Sequence, residues 1–360
     1  MKIGVLKETN DKRVALTPET LKKNPDVAAL MLIETGAGQN AAFSDEEYAE
    51  FAKIASREEV LSQSKMIISI QPLSDAEMSK LAPGTLMIAL FEPFNNPEIS
   101  AQIERHKLGA FSLDMIPRTT LAQSMDILSS MASIAGYKAV LTAANRLPRY
   151  FPMMITAAGS IRPAQVLVLG AGVAGLQAIA TAKRLGAMVE ASDVRQAAKE
   201  EVMSLGAKFV EVEGAKEDTS AGGYAVEQSK EFLERQQAEV QRRAAKADVI
   251  ITTAQVRGRK APVLLPKSTV DQMRPGSVII DLAASSGGNC ELTEGTGTVV
   301  HNGVIIIGNS DLAGEMPQDA SRLFSNNLMN YLNLLVKDGS LTIDMDNEII
   351  AKSYIVQVDQ

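Results

Sequence analysis

The sequence predicts an α/β protein built from two doubly wound parallel sheets joined by two long helices. Three observations carry this. Short, continuous apolar runs alternate with helix-length amphipathic stretches from the first residues, a second series of the same kind starts at Gln165, and long helical patterns over residues 121–145 and 319–336 flank that second series. Strands that are apolar throughout, rather than at every second position, belong to sheets covered on both faces by helices. A length of 360 residues is enough for two such domains.

In the first series the strand candidates are residues 2–6, 31–34, 66–70, 86–91 and 109–113, with helical segments near 17–24, 44–55, 75–81 and 96–106. In the second they are 165–169, 187–191, 208–212, 248–253, 277–282 and 303–307, the six-strand count of a dinucleotide-binding sheet. The two long helices carry the chain across and back, so the last 25 or so residues rejoin the first domain. The expected division is 1–125 plus 316–360, and 126–315. Asp346-Asn347, between apolar runs, reads as a hairpin turn. The small-residue stretches 216–223 and 285–297 read as loops.

Composition excludes several chemistries. The formal charge is −7 and no basic stripe stands out, which removes the electrostatic footprint of nucleic-acid or anionic-lipid binding. One cysteine (Cys290) and two distant histidines (His106 and His301) build neither a disulfide framework nor a cluster of metal ligands, and no metal site is expected. Lys2, Lys7 and Glu8 interrupt the apolar stretch a signal peptide would need. The longest apolar run, 166–182, is broken by three glycines and Gln177, so no membrane insertion is expected and the location is read as cytoplasmic.

Gly170-Ala171-Gly172-Val173-Ala174-Gly175 follows the apolar strand and opens a helical run. In that setting Gly170 allows the tight turn, Gly172 lets backbone N–H groups approach a pyrophosphate, and Gly175 permits helix-on-strand packing. The helix N-terminus then faces the anion. Asp193 lies eighteen residues beyond Gly175, where a carboxylate accepts from an adenosine ribose and repels a 2′-phosphate. Arg195 weakens that preference for NAD over NADP. The competing interpretation is a glycine-rich turn with an exposed acid; strand and helix on either side favour a Rossmann-like NAD site.

Gln123, Asp126 and Ser129 recur at i, i+3 and i+6 after Arg118, aligning an amide, a carboxylate and a hydroxyl along one helical stripe. Taken alone, a solvated face with a surface arginine is the favoured reading. Over nearly its whole length, however, the chain resembles the soluble NAD(H)-binding component of proton-translocating nicotinamide nucleotide transhydrogenases, whose relatives are alanine dehydrogenases. The blocks that carry the resemblance are GVLKETNDKRVALTPE, the R-x4-Q-x2-D segment, FPMMITAAGSIRPAQVLVLGAGVAGLQAIATAKRLGA, the AGGY loop and GSVIIDLAASSGGNC.

The resemblance implies that Arg118, Gln123, Asp126 and Ser129 hold the nicotinamide, that Val173 and Ala174 lie at the pyrophosphate, and that Asp193, Val194 and Arg195 lie at the ribose. It places Ala254, Gln255 and Gln236 with the cofactor, and matches residues 219–225, with Gly223 and Tyr224, to a mobile loop that folds over bound nucleotide. It further implies hydride transfer between NADH on this chain and NADP+ on a partner domain, a homodimer with the segment 153–166 as an exchanged hairpin, and a membrane-spanning subunit that moves protons. The chain would then be a peripheral subunit at the inner membrane.

Alanine dehydrogenases resemble the chain but carry a Lys and a His that bind and protonate the keto acid. The corresponding stretches here are Ile68-Ser69-Ile70-Gln71-Pro72 and Leu90-Phe91-Glu92-Pro93-Phe94. Arg13 matches their substrate arginine, although a structural salt bridge is favoured for it. Hydride passing between two nicotinamides moves no proton at the reacting carbon, so a site without an acid or base suits it. Two alternatives remain: an alanine dehydrogenase-like enzyme, and a non-catalytic NAD-sensing module. Cys290 reads as a small buried side chain, His106 as a solvated helix end, and His301 as a turn residue.

Overall fold

The computed structural model describes residues 1–212 and 230–358. Contacts between Cα atoms divide the chain into two units, residues 1–131 with 313–360, and residues 132–312. Four described helices reach twelve residues or more: α1 (Ile127–Arg146), α2 (Val173–Arg184), α3 (Lys230–Ala244) and α4 (Pro317–Leu335).

The first unit holds β1 (Ile3–Val5), β2 (Met31–Glu34), β3 (Lys53–Ala55), β4 (Met66–Ile68), β5 (Leu86–Ala89) and β6 (Gly109–Ser112), with a C-terminal strand Tyr354–Val356. The sheet order is C-terminal strand, β6, β5, β4, β1, β2, β3. All pairs are parallel except the C-terminal strand on β6. Every residue of β1, β2, β4, β5 and β6 is buried, as continuous apolar strands require. Tyr354 stacks on Phe111 at 4.2 Å and so fixes the returning chain.

Three expectations are corrected in this unit. Residues 44–55 are not one helix: Ser44 and Glu47 form a capping box that opens the short helix Asp45–Ala49, and the chain then enters edge strand β3. A second box, Ser56 with Glu59, starts a further helix Arg57–Gln63. The hairpin turn is Asp338-Gly339, both at positive φ (50° and 72°), between Val336–Lys337 and Ser340–Leu341. Asn347 instead caps the helix Glu348–Ser353 by accepting from the Ile349 N–H at 2.9 Å.

The second unit holds β7 (Gln165–Leu169), β8 (Met188–Ser192), β9 (Lys208–Phe209), β10 (Val249–Thr252), β11 (Val278–Asp281), β12 (Gly297–His301) and β13 (Val304–Gly308). Their order is β9, β8, β7, β10, β11, β13, β12. The described sheet therefore has seven strands, not six: Asn302-Gly303, at φ 49° and 79°, folds β12 back antiparallel to β13. His301 ends that strand and its Nε2 lies 2.6 Å from Asp271. The order reverses between β7 and β10, the crevice where ligands bind in open α/β sheets.

Residues 154–161 form a separate hairpin, with Met153 and Ile155 exposed at 60% and 74%. By length and composition α1 is apolar enough to cross a membrane. Its apolar side chains enter protein cores instead, Ile127 in the first unit and Ala135, Ala139, Val140 and Ala143 in the second.

Candidate functional site

The turn after β7 owes its shape to three different backbone needs. Gly170 sits at φ +102°, and a Cβ there would lie 2.5 Å from the Thr253 hydroxyl, which donates to the Gly170 carbonyl at 3.1 Å. A Cβ on Gly175 would stand 1.9 Å from that same carbonyl oxygen, so α2 packs on the turn only with glycine there. Gly172, the residue before α2, has nothing within 4 Å of its Cβ position. That open cradle lies at the start of α2, where the first-turn N–H groups have no intrahelical acceptor and the helix dipole favours an anion. Val173 opens the helix and is 45% exposed. Ala174 follows, and its carbonyl lies only 2.0 Å from the point a Cβ on Gly136 would occupy. Gly136 was missed in the sequence; a glycine inside a long helical pattern was the available signal.

Asp193 closes one side of the turn. Its carboxylate accepts from the N–H of Ala171 at 2.7 Å and from the N–H, Nε and Nη2 of Arg195 at 2.8, 3.0 and 3.2 Å. Burial works against the charge, but the hydrogen bonds from Arg195 and Ala171 outweigh it and hold the carboxyl below its usual range. Val194 beside it is 80% exposed.

Ala254 and Gln255 leave β10 next to this turn. A buried amide missed in the sequence, Asn289, accepts from the Ala254 N–H at 3.0 Å and donates to its carbonyl at 2.9 Å. Asp281 in turn accepts from the Asn289 N–H at 2.8 Å. Gln255 donates to the Leu282 carbonyl at 2.8 Å. Gln236 is half-buried on α3, with no hydrogen bond to the turn among the described residues. Gly223 and Tyr224, with the rest of 219–225, lie outside the described residues.

In the first unit Arg118, Gln123, Asp126 and Ser129 do come together, around a cavity of about 260 Å3. The single helix expected over 121–145 is not what aligns them. Residues Thr120–Met125 form a 3-10 helix, Asp126 leaves helical geometry at ψ 83°, and α1 begins one residue later. Asp126 accepts from the Ser129 N–H at 2.9 Å and from its hydroxyl at 2.6 Å, so the carboxylate serves as the helix cap. Arg118 and Gln123 are exposed and make no side-chain hydrogen bond or ion pair among the described residues.

Other titratable groups are committed elsewhere or are buried. Arg13 is buried and clasps Asp11 through Nε at 2.9 and 3.0 Å, the salt bridge favoured for it. Burial pushes the Cys290 thiol up to about 11, leaving it protonated. His106 bonds Asp75 at 3.0 Å rather than standing free in solvent. Among the described residues no group of three His, Cys, Asp or Glu side chains is placed to hold a metal.

Comparison with known proteins follows the same division of the chain. Family models for the N-terminal and C-terminal domains of alanine dehydrogenase/PNT match residues 4–135 and 139–360. The first of the separately encoded pieces of NAD(P) transhydrogenase subunit alpha in Rhodospirillum rubrum is 43% identical over 97% of this chain and 94% of its own length. The chain belongs to the NAD(P) transhydrogenase α-subunit family. A transhydrogenase structure from Sinorhizobium meliloti superposes with a TM-score of 0.90 at 39% identity, covering 99% of this chain and 98% of that one. An L-alanine dehydrogenase structure, at 26% identity and a TM-score of 0.79 over 99% and 96%, shares the two-sheet α/β architecture. The transhydrogenase family and the dehydrogenases thus differ within one scaffold, and the stretches at 68–72 and 90–94 bring neither Lys nor His to this one.

Proposed function

We propose that the chain binds NAD(H) at the Gly170–Gly175 turn and transfers hydride between NADH and NADP+ held on a partner domain, as the peripheral subunit of a proton-translocating transhydrogenase. The observation that carries the reading is the composition of the 260 Å3 cavity: a guanidinium and an amide without protein partners stand beside a capped carboxylate, with no histidine or cysteine among its lining residues.

The nicotinamide supplies the hydride when bound; the chain's own residues bind and orient. Gly172 and the first N–H groups of α2 receive the pyrophosphate. Asp193 already has four donors on its two oxygens, so it accepts from the ribose once Arg195 gives up part of its hold. Asn289 keeps Ala254 and Gln255 rigid beside the turn. Gln123 and Arg118 orient the ring and its carboxamide, while Asp126 holds the Ser129 hydroxyl in place. No group in the cavity has to move a proton, as direct transfer between two rings requires.

The same reading assigns Gly223 and Tyr224 to closure over the nucleotide, Gln236 to the cofactor set, and the exposed hairpin 154–161 to a homodimer. Membrane-spanning and NADP(H)-binding subunits complete the assembly, with this chain on the cytoplasmic side and no nucleic acid involved. The domain division is 1–125 with 316–360, and 126–315.

The test is mixing. The chain with NADH and the NADP(H)-binding partner should transfer hydride, and neither should do so alone. Turnover of NADH by the isolated chain with pyruvate and ammonia would replace this reading with an alanine dehydrogenase. NADH binding without transfer in the mixture would leave a sensing module.

A further inference from the structure

A second concave site lies in the same unit as the phosphate turn, at the other end of its sheet. It is a cavity of about 280 Å3 lined by the amino-terminal halves of β7 and β8, the start of β9, and the carboxyl-terminal ends of α2 and α3. The phosphate turn leaves the carboxyl end of β7. A five-residue strand at roughly 3.3 Å per residue separates the two ends by about 13 Å.

Five cations line the cavity: Lys183, Lys208, Arg242, Arg243 and Lys246. Two are neutralised. Arg242 and Arg243 both bond Glu239, at 2.6 and 2.7 Å, and Arg243 also pairs with Glu190. The hydrogen bonds from Arg242 and Arg243 hold the Glu239 carboxyl down at about 2, so these partners stay charged and fixed across the neutral range. The three lysines have no carboxylate within ion-pairing distance among the described residues, which leaves a surplus of three positive charges in a chain whose net charge is −7.

Cations near helix C-termini are common because they complement the helix dipole, and that accounts for Lys183, Arg242 and Arg243. It does not account for Lys208, the first residue of an edge strand, or for Lys246, in the turn after α3. Nor is this one face of one helix: the lysines arrive from three elements. Lys183 leans over Gly206, where a Cβ would stand 3.5 Å from its Cε. Converging ammonium groups repel one another, and a multivalent anion relieves that repulsion. The volume lies just below the usual range of small-molecule sites, which limits the occupant to a compact group.

We propose that this cavity is a binding site for a small phosphate-bearing anion, separate from the nucleotide turn. Lys183, Lys208 and Lys246 supply the charge, and Arg243, pinned by two carboxylates, forms a rigid wall.

Pyrophosphate is a suitable probe, followed by equilibrium dialysis on the full chain. Saturable binding is expected and should weaken as salt rises. Replacing Lys183 and Lys246 together by Met should weaken it at least tenfold with little change in melting temperature. Lys208→Gln, on the exposed edge strand, should weaken it severalfold and serves as the test if the double variant fails to fold. Absence of saturable binding overturns the proposal. So does binding that survives the lysine variants unchanged, because the probe would then be seated elsewhere, as at the phosphate turn.

Discussion

Gly172 and Gly175 stand three positions apart in one turn and meet opposite surroundings. A methyl at Gly175 would run into the Gly170 carbonyl, whereas one at Gly172 would enter open space. Gly175→Ala should therefore destabilise the fold by roughly 3 kcal/mol or more, visible as a lowered melting temperature. Gly172→Ala should melt like the parent and bind NADH at least tenfold more weakly, because the methyl occupies the approach to the α2 amides. Equal melting temperatures for both variants would refute the assignment of their roles.

Glu8 is the other residue whose surroundings make a quantitative claim. Burial raises its carboxyl to about 7, against the opposing hydrogen bonds from the N–H groups of Ile70 and Gln71 at 2.6 and 3.2 Å. A group raised on folding stabilises fully below its unfolded value and loses that contribution as pH climbs through the folded one. Unfolding free energy should thus fall between pH 4.5 and somewhat above 7, by about 3 kcal/mol from this group. Urea titrations at pH 5 and 8 should show the slope, and Glu8→Gln should flatten it. A slope unchanged in the variant would mean another group is responsible.

At the scale of elements, legibility depended on how local the cause was. The phosphate turn could be read from the sequence because each glycine answers a need within its own strand–turn–helix unit. The stripe Gln123, Asp126, Ser129 was found for a partly wrong reason: its three-residue spacing suits an α-helix, yet also suits a 3-10 turn followed by an aspartate cap. β12 was missed because the only local sign is Asn302-Gly303, and its pairing partner follows the turn rather than preceding it. Asn289 carried no pattern at all, since its importance comes from a backbone 35 residues away. The stripe's geometry yields its own test. Gln123→Asn shortens an amide that makes no protein hydrogen bond, so it should slow hydride transfer tenfold or more and change NADH affinity little. An affinity collapse with an unaltered rate in the bound complex would assign Gln123 to binding instead.

For the whole molecule, the hairpin 154–161 is the exposed feature with the least internal support. Ile155 is 74% exposed and Ile161 40%, on a two-stranded ribbon that joins neither large sheet. Such ribbons are marginal alone and gain stability by packing on something larger. If a second copy is what covers it, Ile155→Lys should shift the sedimentation of the chain from dimer to monomer and leave its secondary structure intact. Dimers that persist in the variant would place the interface elsewhere.

The strand Tyr354–Val356 pairs with β6 across more than 240 intervening residues, and those residues include the whole of the second unit. During synthesis at roughly 5–20 residues per second, the order of completion is therefore inverted. The unit in the middle of the chain has all its strands in hand and can finish on the ribosome. The unit that starts at residue 1 waits, with one edge of its sheet open, until the last stretch of the message has been translated.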